Sequence, residues 1–431
     1  MERILTAELS AHVGERVRIA GWLHHQRQLA QVAFLLLRDR SGIAQVVLIE
    51  PATRDEVGGL LGETVVEIEG VVVANEQAPT GVEVVDPTVR VVTEPAEAPP
   101  FELRRPKLNA QLPTLLDHAA VSLRHPRRRA LAHIAAASVA GFRSGLDGAG
   151  FTEVFTPKVV ASATESGANV FPIDWFGRRA FLAQSPQFYK QIMVGVFERV
   201  YEVGPVFRAE PHDTARHLAE YVSLDAEMGF IRDHFDVMRV LRDVLASMME
   251  RAADQAKDAL AVLELQLPPV PRDIPVIDFF DAQEMIQTST GRPTVGEPDL
   301  SPADERWLGE WAQAEHGSEF VFVTGYPMVK RPFYTHPDPT NPDASNSFDL
   351  LFRGLELVTG GQRLHRYQDY IDELRGQDVA AFEGYLEAFR HGMPPHGGFA
   401  IGLERWVARL AGATNVREVT LFPRDLHRLT P

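Results

Sequence analysis

Cysteine is missing from all 431 residues. A chain without it can form no disulfide, offer no cysteine nucleophile and build no thiolate zinc site. Long apolar runs are missing too: nothing approaches the roughly 20 residues a membrane-spanning helix needs, so no membrane association is expected. The opening MERILTAELSAHVGERVRIAG has no basic stretch leading into an apolar one and does not read as a signal peptide. With the missing thiols this suits a reducing cytoplasm. The two common phosphate-binding signatures, G-x-x-x-x-G-K-[ST] and G-x-G-x-x-G, are also absent, so any nucleotide site must be built from other parts. Basic residues are scarce relative to acidic ones, 43 against 59, for a net charge of -16. Phosphate contacts need Lys or Arg, so composition mildly disfavours RNA binding. Local basic clusters survive inside that sum, Arg104, Arg105 and Lys107, then Arg124 with Arg127, Arg128 and Arg129. A solvated face is the bland reading of any one of them.

What is present supports a sizeable core: 45% of residues are hydrophobic, and the length suggests two or three domains. The first hundred residues read as short Val- and Ile-rich strands, Arg16–His24, Val32–Arg38, Ile43–Glu50, Thr64–Val73 and Val82–Val92, separated by turn residues. Five such strands fit a small OB-fold barrel. Five prolines between Glu94 and Pro113 mark a linker. The expected organisation is therefore a barrel domain over 1–100, a hinge over 101–120 and a larger domain over 121–431. In the latter, Arg127–Gly150 and His234–Ala256 read as helices, and Val200–Phe207, Tyr221–Phe230, Phe320–Val323, Phe348–Leu357 and Gly398–Ile401 as strands. Few strand–helix–strand alternations occur, so an antiparallel sheet flanked by helices, an α+β domain, is expected rather than a Rossmann sheet.

Three separated segments carry the charged and aromatic groups. In Gly204-Pro-Val-Phe-Arg-Ala-Glu210 a strand is expected to deliver Arg208 and Glu210 on one face, followed by a loop holding Arg216 and His217 and a returning strand with Tyr221. The planar fork of Arg208 suits a phosphate, and Tyr221 suits the face of a base. An ion pair on a surface hairpin is the plain alternative. The second segment, Ser347 to Arg363, holds Asp349 and Glu356, hard oxygen ligands suited to Mg²⁺ bridging phosphates. On one continuous strand they would face opposite ways, so a bend, for which Gly354 is placed, is needed for both to reach one ion. The third, Gly397-Gly-Phe-Ala-Ile-Gly-Leu-Glu-Arg405, leads glycines into an apolar helix and sets Arg405 beside its N-terminus.

Together the segments resemble the three signature motifs of the class II aminoacyl-tRNA synthetases: Phe151-Thr-Glu-Val-Phe-Thr-Pro157, Phe207-Arg-Ala-Glu210 and Gly402-Leu-Glu-Arg405. The match narrows to the aspartate branch. Residues Ala163-Thr-Glu-Ser-Gly-Ala168 resemble that branch's loop over the amino acid, Gln184-Ser-Pro-Gln-Phe-Tyr-Lys-Gln191 its QSPQxYKQ segment, and Gly361-Gln-Arg363 its GQR. The resemblance implies an L-aspartate set of Glu165, Gln187, Lys190, Arg208, Thr359 and Arg363. It implies an ATP set of Arg208, Glu210, Arg216, His217, Leu218, Tyr221, Glu356, Gly402 and Arg405, and Mg²⁺ on Glu356 with Thr359 and Asp349. Arg208, Glu356 and Arg405 would carry the catalysis, and Pro157 would sit in a homodimer interface. In the barrel, Phe34 would stack on an anticodon base and Gln45 read its edge. Two cations, Lys190 and Arg363, suit an anionic side chain over a neutral amide, which argues against the asparagine branch.

The pattern departs from the family at Thr359, where Ser is usual, and at Ala400 and Ile401, where Gly-Leu is usual. The large insertion of the usual bacterial enzyme is absent, which favours the compact archaeal type. That type has a form strict for tRNA(Asp) and a relaxed form that also charges tRNA(Asn). His24 after Gly21-Trp-Leu23, and Pro79, resemble the relaxed form. A tRNA-dependent amidotransferase is then implied as a functional partner. The rivals are a strict aspartate enzyme, an asparagine enzyme, a silent RNA-binding paralogue and an amide-forming synthetase that uses no tRNA.

Overall fold

Along the first strands alternate apolar residues such as Val17 and Ile19, and Leu35 and Leu37, point into one barrel. The computed structural model describes residues 1–431 except 79, 162–168, 212, 377 and 378, and except the side chain of residue 381. Two compact units divide the described chain, Met1–His125 and Pro126–Pro431.

The first unit is a closed five-stranded barrel. Its strands are β1 (Arg16–Gln28), β2 (Ala33–Arg38), β3 (Ile43–Leu48), β4 (Val65–Ala74) and β5 (Val82–Thr93), joined in the order β1-β2-β3-β5-β4, with helix α1 (Pro51–Gly58) between β3 and β4. Val17, Ile19, Leu35, Leu37, Val46, Ile68 and Val84 fill the interior. Closure abolishes sheet edges.

In the second unit an eight-stranded sheet carries the core. Motif 1 supplies its edge strand β6 (Thr152–Glu153). Strands β7 (Val159–Val160), β8 (Pro172–Trp175) and β9 (Arg178–Leu182) form a separate small sheet. The large sheet continues with β10 (Arg199–Phe207), β11 (Glu220–Gly229), β12 (Val276–Asp278), β13 (Phe320–Thr324), β14 (Ser347–Phe352), β15 (Glu356–Arg363) and β16 (His396–Gly402), in the order β12-β13-β14-β15-β16-β11-β10-β6. All its pairings are antiparallel except the outermost at each end, β12 with β13 and β6 with β10. The α+β expectation is met.

Helices α2 (Pro126–Gly148), α3 (Gln187–Phe197), α4 (His234–Gln255), α5 (Phe279–Thr290), α6 (Pro302–His316) and α7 (Leu403–Ala411) flank the sheet. Trp406 of α7 is fully buried, lies against Phe352, and donates its indole N–H to Ser138 of α2 at 2.9 Å.

One expected strand is two. Phe348–Leu357 breaks at a two-residue turn in which Arg353 (φ 51°) and Gly354 (φ 68°) are both left-handed and Phe352 and Leu355 exchange backbone hydrogen bonds. That is the geometry which matches the twist of a hairpin. Arginine at its first position hides it, because Asn or Gly is usual there.

Candidate active site

Strands β11, β15 and β16 are neighbours, and along them the chemistry is strung from one end of the site to the other. Alternate residues of β11 point the same way. Tyr221, Ser223, Asp225 and Glu227 therefore form one polar row, while Leu224 and Ala226 enter the core.

At one end is a cavity of about 170 Å³ whose lining includes Arg208, Arg216, His217 and Leu218 from the β10–β11 connection and Tyr221 and Ser223 of β11. Glu356, Leu357 and Thr359 of β15, Ala400 and Gly402 of β16, Glu404 and Arg405 of α7, and Val416 complete it. The Arg208 guanidinium stands 5.7 Å from the centroid of the Tyr221 ring. Arg208 and Glu210 do not share a strand face as expected, because β10 stops at Phe207. Beyond it the Arg208 N–H donates to Ala219 O at 2.9 Å and the Ala209 N–H turns away to Asn169 O at 3.0 Å. Glu210 is not among the cavity's lining residues. Of the two departures on β16, Ala400 lines the cavity, whereas Ile401 is buried in the core.

The hairpin brings the two hard-ligand candidates onto neighbouring strands. Asp349 of β14 pairs with Thr359 of β15, and the Thr359 hydroxyl lies 3.4 Å from Glu356 Oε1. Arg331 holds Asp349 at 3.1 Å, and Arg405 approaches Glu356 at 3.7 Å. Burial pushes the Asp349 carboxyl up to about 6, Arg331 opposes that, and the charge of Glu356 adds to it. A buried acid raised beside a second carboxylate gains from a divalent cation. The oxygen-only donor set, two carboxylates and a hydroxyl, fits Mg²⁺. Among the described residues no three His, Asp or Glu side chains converge into a protein cage, so phosphate oxygens and water would have to complete the shell.

At the other end four charges are buried together. Lys190 of α3 (2% exposed) pairs with Asp225 at 3.0 Å and with Glu227 (0%) at 3.2 Å. The Arg363 Nε donates to Glu227 at 2.9 Å and its Nη2 to Gly398 O at 3.1 Å, with the Tyr334 ring centroid 5.5 Å away. Gly398 must lack a side chain: a Cβ there would fall 2.2 Å from Glu227 Oε2 and 2.1 Å from Ala226 O. Behind this cluster Gln191 donates to Tyr370 (3.2 Å) and to His396 Nε2 (2.9 Å), and Tyr385 donates to Gln191 (3.0 Å). Because Nε2 accepts, His396 carries its proton on Nδ1, which faces Pro394 O at 2.9 Å. Burial pushes its pKa down to about 4, so it is neutral. The sequence argument counted only the two cations. Among the described residues Asp225 and Glu227 balance these two cations.

On the barrel, Phe34 and Leu36 alternate with the inward Leu35 and Leu37, and Phe34 is no part of the core. Phe34 stands opposite Arg27 and Val47, and Leu36 opposite His25 and Gln45. The Gln45 amide donates to Glu83 at 2.8 Å. This is an outward platform of aromatic, cationic and amide groups across β1, β2 and β3. His24 sits apart, in a bulge between Leu23 and His25, and lines a cavity of about 230 Å³ with Glu63, Phe101, Glu102 and Arg104. Burial and then Arg38 push its pKa down to about 4. Glu165 and Pro79 lie outside the described residues.

Residues 111–426 match the family model described as tRNA synthetases class II (D, K and N), and residues 17–92 match an OB-fold nucleic acid binding domain. The chain belongs to the class II tRNA synthetases. Among its relatives, the aspartate--tRNA(Asp/Asn) ligase of Thermus thermophilus is 50% identical with both chains fully covered. That of Deinococcus radiodurans is 47% identical over 100% of this chain and 99% of the relative. Among solved structures, the asparaginyl-tRNA synthetase of Pyrococcus horikoshii complexed with asparaginyl-adenylate superposes with a TM-score of 0.92 at 31% identity, both chains fully covered.

Within this class II synthetase, motif 1 leaves Pro157 exposed, near the 80%-exposed Phe155. Four site residues escaped the motif reading: Asp225, Glu227, His396 and Glu404. The first two were visible as polar residues alternating with apolar ones through Ser223-Leu-Asp-Ala-Glu227. Glu404, whose carboxylate accepts the Val222 N–H at 3.1 Å and which burial pushes up to about 7, lay inside the third motif, where Arg405 drew the attention. No helix among the described residues is long and apolar enough to cross a membrane.

Proposed function

We propose that the chain activates L-aspartate with ATP to aspartyl-adenylate and transfers it to tRNA(Asp) and tRNA(Asn). The observation that carries the reading is the buried Lys190–Arg363 pair, held by Asp225 and Glu227 and joined through Ser223 to a cavity lined by Arg208, Tyr221 and Arg405. The names of the relatives support both tRNA substrates.

In the first step an oxygen of the aspartate α-carboxylate attacks the α-phosphate in line, and the bond to the β-phosphate breaks to release pyrophosphate. Arg208 neutralises that phosphate, Arg216, His217 and Arg405 hold the outer phosphates of a bent ATP, and Tyr221 and Arg405 sandwich the adenine with Glu210 at its edge. Glu356, Thr359 and Asp349 would hold Mg²⁺, which would supply charge neutralisation at the phosphates. Lys190 and Arg363 turn donors to the side-chain carboxylate, Gln187 lies beside them on α3, and Glu165 takes the ammonium. In the second step the terminal ribose hydroxyl of tRNA attacks the carbonyl carbon of the adenylate, forming the ester as the anhydride bond breaks and AMP leaves. No protein nucleophile takes part; catalysis is positioning and electrostatics. Phe34 and Gln45 read the anticodon, with His24 and Pro79 relaxing discrimination at its third base. Aspartyl-tRNA(Asn) then requires a tRNA-dependent amidotransferase. Motif 1, around Pro157, forms a twofold dimer interface, and the reaction takes place where tRNA is charged, in the cytoplasm.

ATP–pyrophosphate exchange with aspartate and with asparagine, followed by charging of both purified tRNA transcripts, tests this reading. Aspartate-dependent exchange and aspartylation of both tRNAs are expected. Exchange driven by asparagine would replace the reading with an asparagine enzyme.

A further inference from the structure

We propose that Glu305, a residue of none of the three motifs, is a positioning residue that sets both Glu356 and Arg216 for ATP. The proposal rests on the ATP-binding role given above to the cavity. Glu305 lies in the first turn of α6, 5% exposed, and does not line the nucleotide cavity; Arg216 and Glu356 do. Each of its carboxylate oxygens holds a different segment. Oε2 accepts the backbone N–H of Glu356 at 2.9 Å, and Oε1 stands 3.5 Å from Arg216 Nη1.

The helix is built to bring it there. Ser301 and Asp304 form a reciprocal cap on α6, and Arg292 pairs with Asp304 at 2.7 Å, so the first turn is fixed. One turn on, Gly309 meets the β14–β15 turn: a Cβ at Gly309 would lie 2.5 Å from Gly354 N, and one at Gly354 would lie 2.8 Å from Arg306 Cα. Two facing glycines let helix and hairpin touch backbone to backbone. That contact puts the Glu305 carboxylate at the first residue of β15.

A long arginine on the loop after β10 has many rotamers, and a buried carboxylate that engages it removes much of that freedom before ligand arrives. The same carboxylate fixes where β15 begins, and with it Glu356. Glu305 thus joins three segments far apart in sequence, the 211–219 loop, α6 and β15, at the phosphate side of the cavity. It acts through its two partners and touches no substrate.

The test uses the full-length protein, Glu305→Gln and Glu305→Ala, with ATP affinity read by calorimetry and kinetics by aspartate-dependent pyrophosphate exchange. Gln keeps an acceptor for the Glu356 N–H but drops the charge facing Arg216. Its KM and Kd for ATP should rise about 3- to 10-fold with kcat within about twofold. Ala loses both contacts and should in addition lose about tenfold or more in kcat, with KM for aspartate within about twofold in either variant. In an Arg216→Ala background Glu305→Gln should raise the ATP KM no further, because Gln keeps the acceptor for the Glu356 N–H and differs only in the charge that engages Arg216. Unchanged ATP affinity and kcat in Glu305→Ala, or equal rises in KM for aspartate and ATP, overturns the proposal. Absence of aspartate-dependent exchange in the unmodified protein would instead overturn the substrate assignment, and the ATP Kd of the variants would still decide the role of Glu305.

Discussion

The amino-acid end of the site and its nucleotide end share β11, β15 and β16, yet they are made differently. At the end where we place the amino acid, four charges among the described residues are buried and partnered: Lys190, Asp225, Glu227 and Arg363 close on one another at 2.9–3.2 Å. At the other end Asp349 is buried against Arg331, but the charges that face the cavity are more open. Arg405 and Glu356 are 29% and 41% exposed and stand 3.7 Å apart. A buried set is rigid, and its geometry can be specific, but removing one member leaves its partner stranded at high cost. An exposed set is worth little until a ligand desolvates it, so it can be rearranged around a flexible triphosphate.

Breaking the closed end should have the largest effect. Arg363→Leu takes from Glu227 the nearer of its two cations, leaving Lys190 at 3.2 Å, and removes a donor from the aspartate carboxylate. Aspartate-dependent exchange should fall by about 100-fold or more while the ATP Kd stays within about threefold. Near-normal exchange would remove Arg363 from the substrate site. Glu227→Gln makes the same point without touching the substrate donors. Two cations then share one carboxylate, and unfolding in urea should show a loss of about 3–5 kcal/mol. A loss under about 1 kcal/mol would mean that this end is no more closed than the other.

Histidine sharpens the comparison through pH. The pKa of His396 in the folded chain is about 4, against 6.5 for an unperturbed ring, so between those values the unfolded state binds more protons. Its contribution is present above pH 6.5 and is lost as the pH falls towards 4. From pH 7 to pH 5 the loss is about 2 kcal/mol. Urea midpoints should show that His396→Gln removes this part of the acid sensitivity; an identical acid profile would mean the ring is protonated within the fold. The smallest effect is expected at the open end. Arg216→Ala breaks only a 3.5 Å contact of a part-exposed guanidinium, and stability should change by less than about 1 kcal/mol while the ATP KM rises. A larger loss of stability would show the nucleotide end to be structural as well.

The same contrast governs what the sequence reveals. Barrel strands were legible to within a few residues, because alternation and turn residues act locally: β2 was expected from Val32 and begins at Ala33, and β5 was expected to end at Val92 and ends at Thr93. The gathering of Arg208, Arg216, His217, Tyr221, Glu356 and Arg405 around one cavity was legible because these groups are concentrated in short segments with fixed spacing, whereas Glu210 is not among its lining residues. The amino-acid end was half legible. Lys190 and Arg363 lie in recognisable strings, whereas Asp225 and Glu227 become meaningful only when β11 is set beside β16 and a glycine at position 398 makes room. Helix α6 was missed although Ser301-Pro-Ala-Asp304 is a legible capping signal, because nothing local says which strand turn the helix will touch.

The cancellation of the four buried charges bears on how fast aspartate is captured. A cluster with two positive and two negative members projects no monopole, and its field dies away over a few ångströms. The chain around it is strongly acidic, at -16. An anionic amino acid is therefore not drawn in from a distance. It meets its discriminating donors only at contact, after diffusing against a weakly repulsive field. Added salt, which screens that field over about 10 Å at 0.1 M, should leave the association rate unchanged or raise it slightly. Selectivity would then reside in how long the amino acid stays, not in how often it arrives.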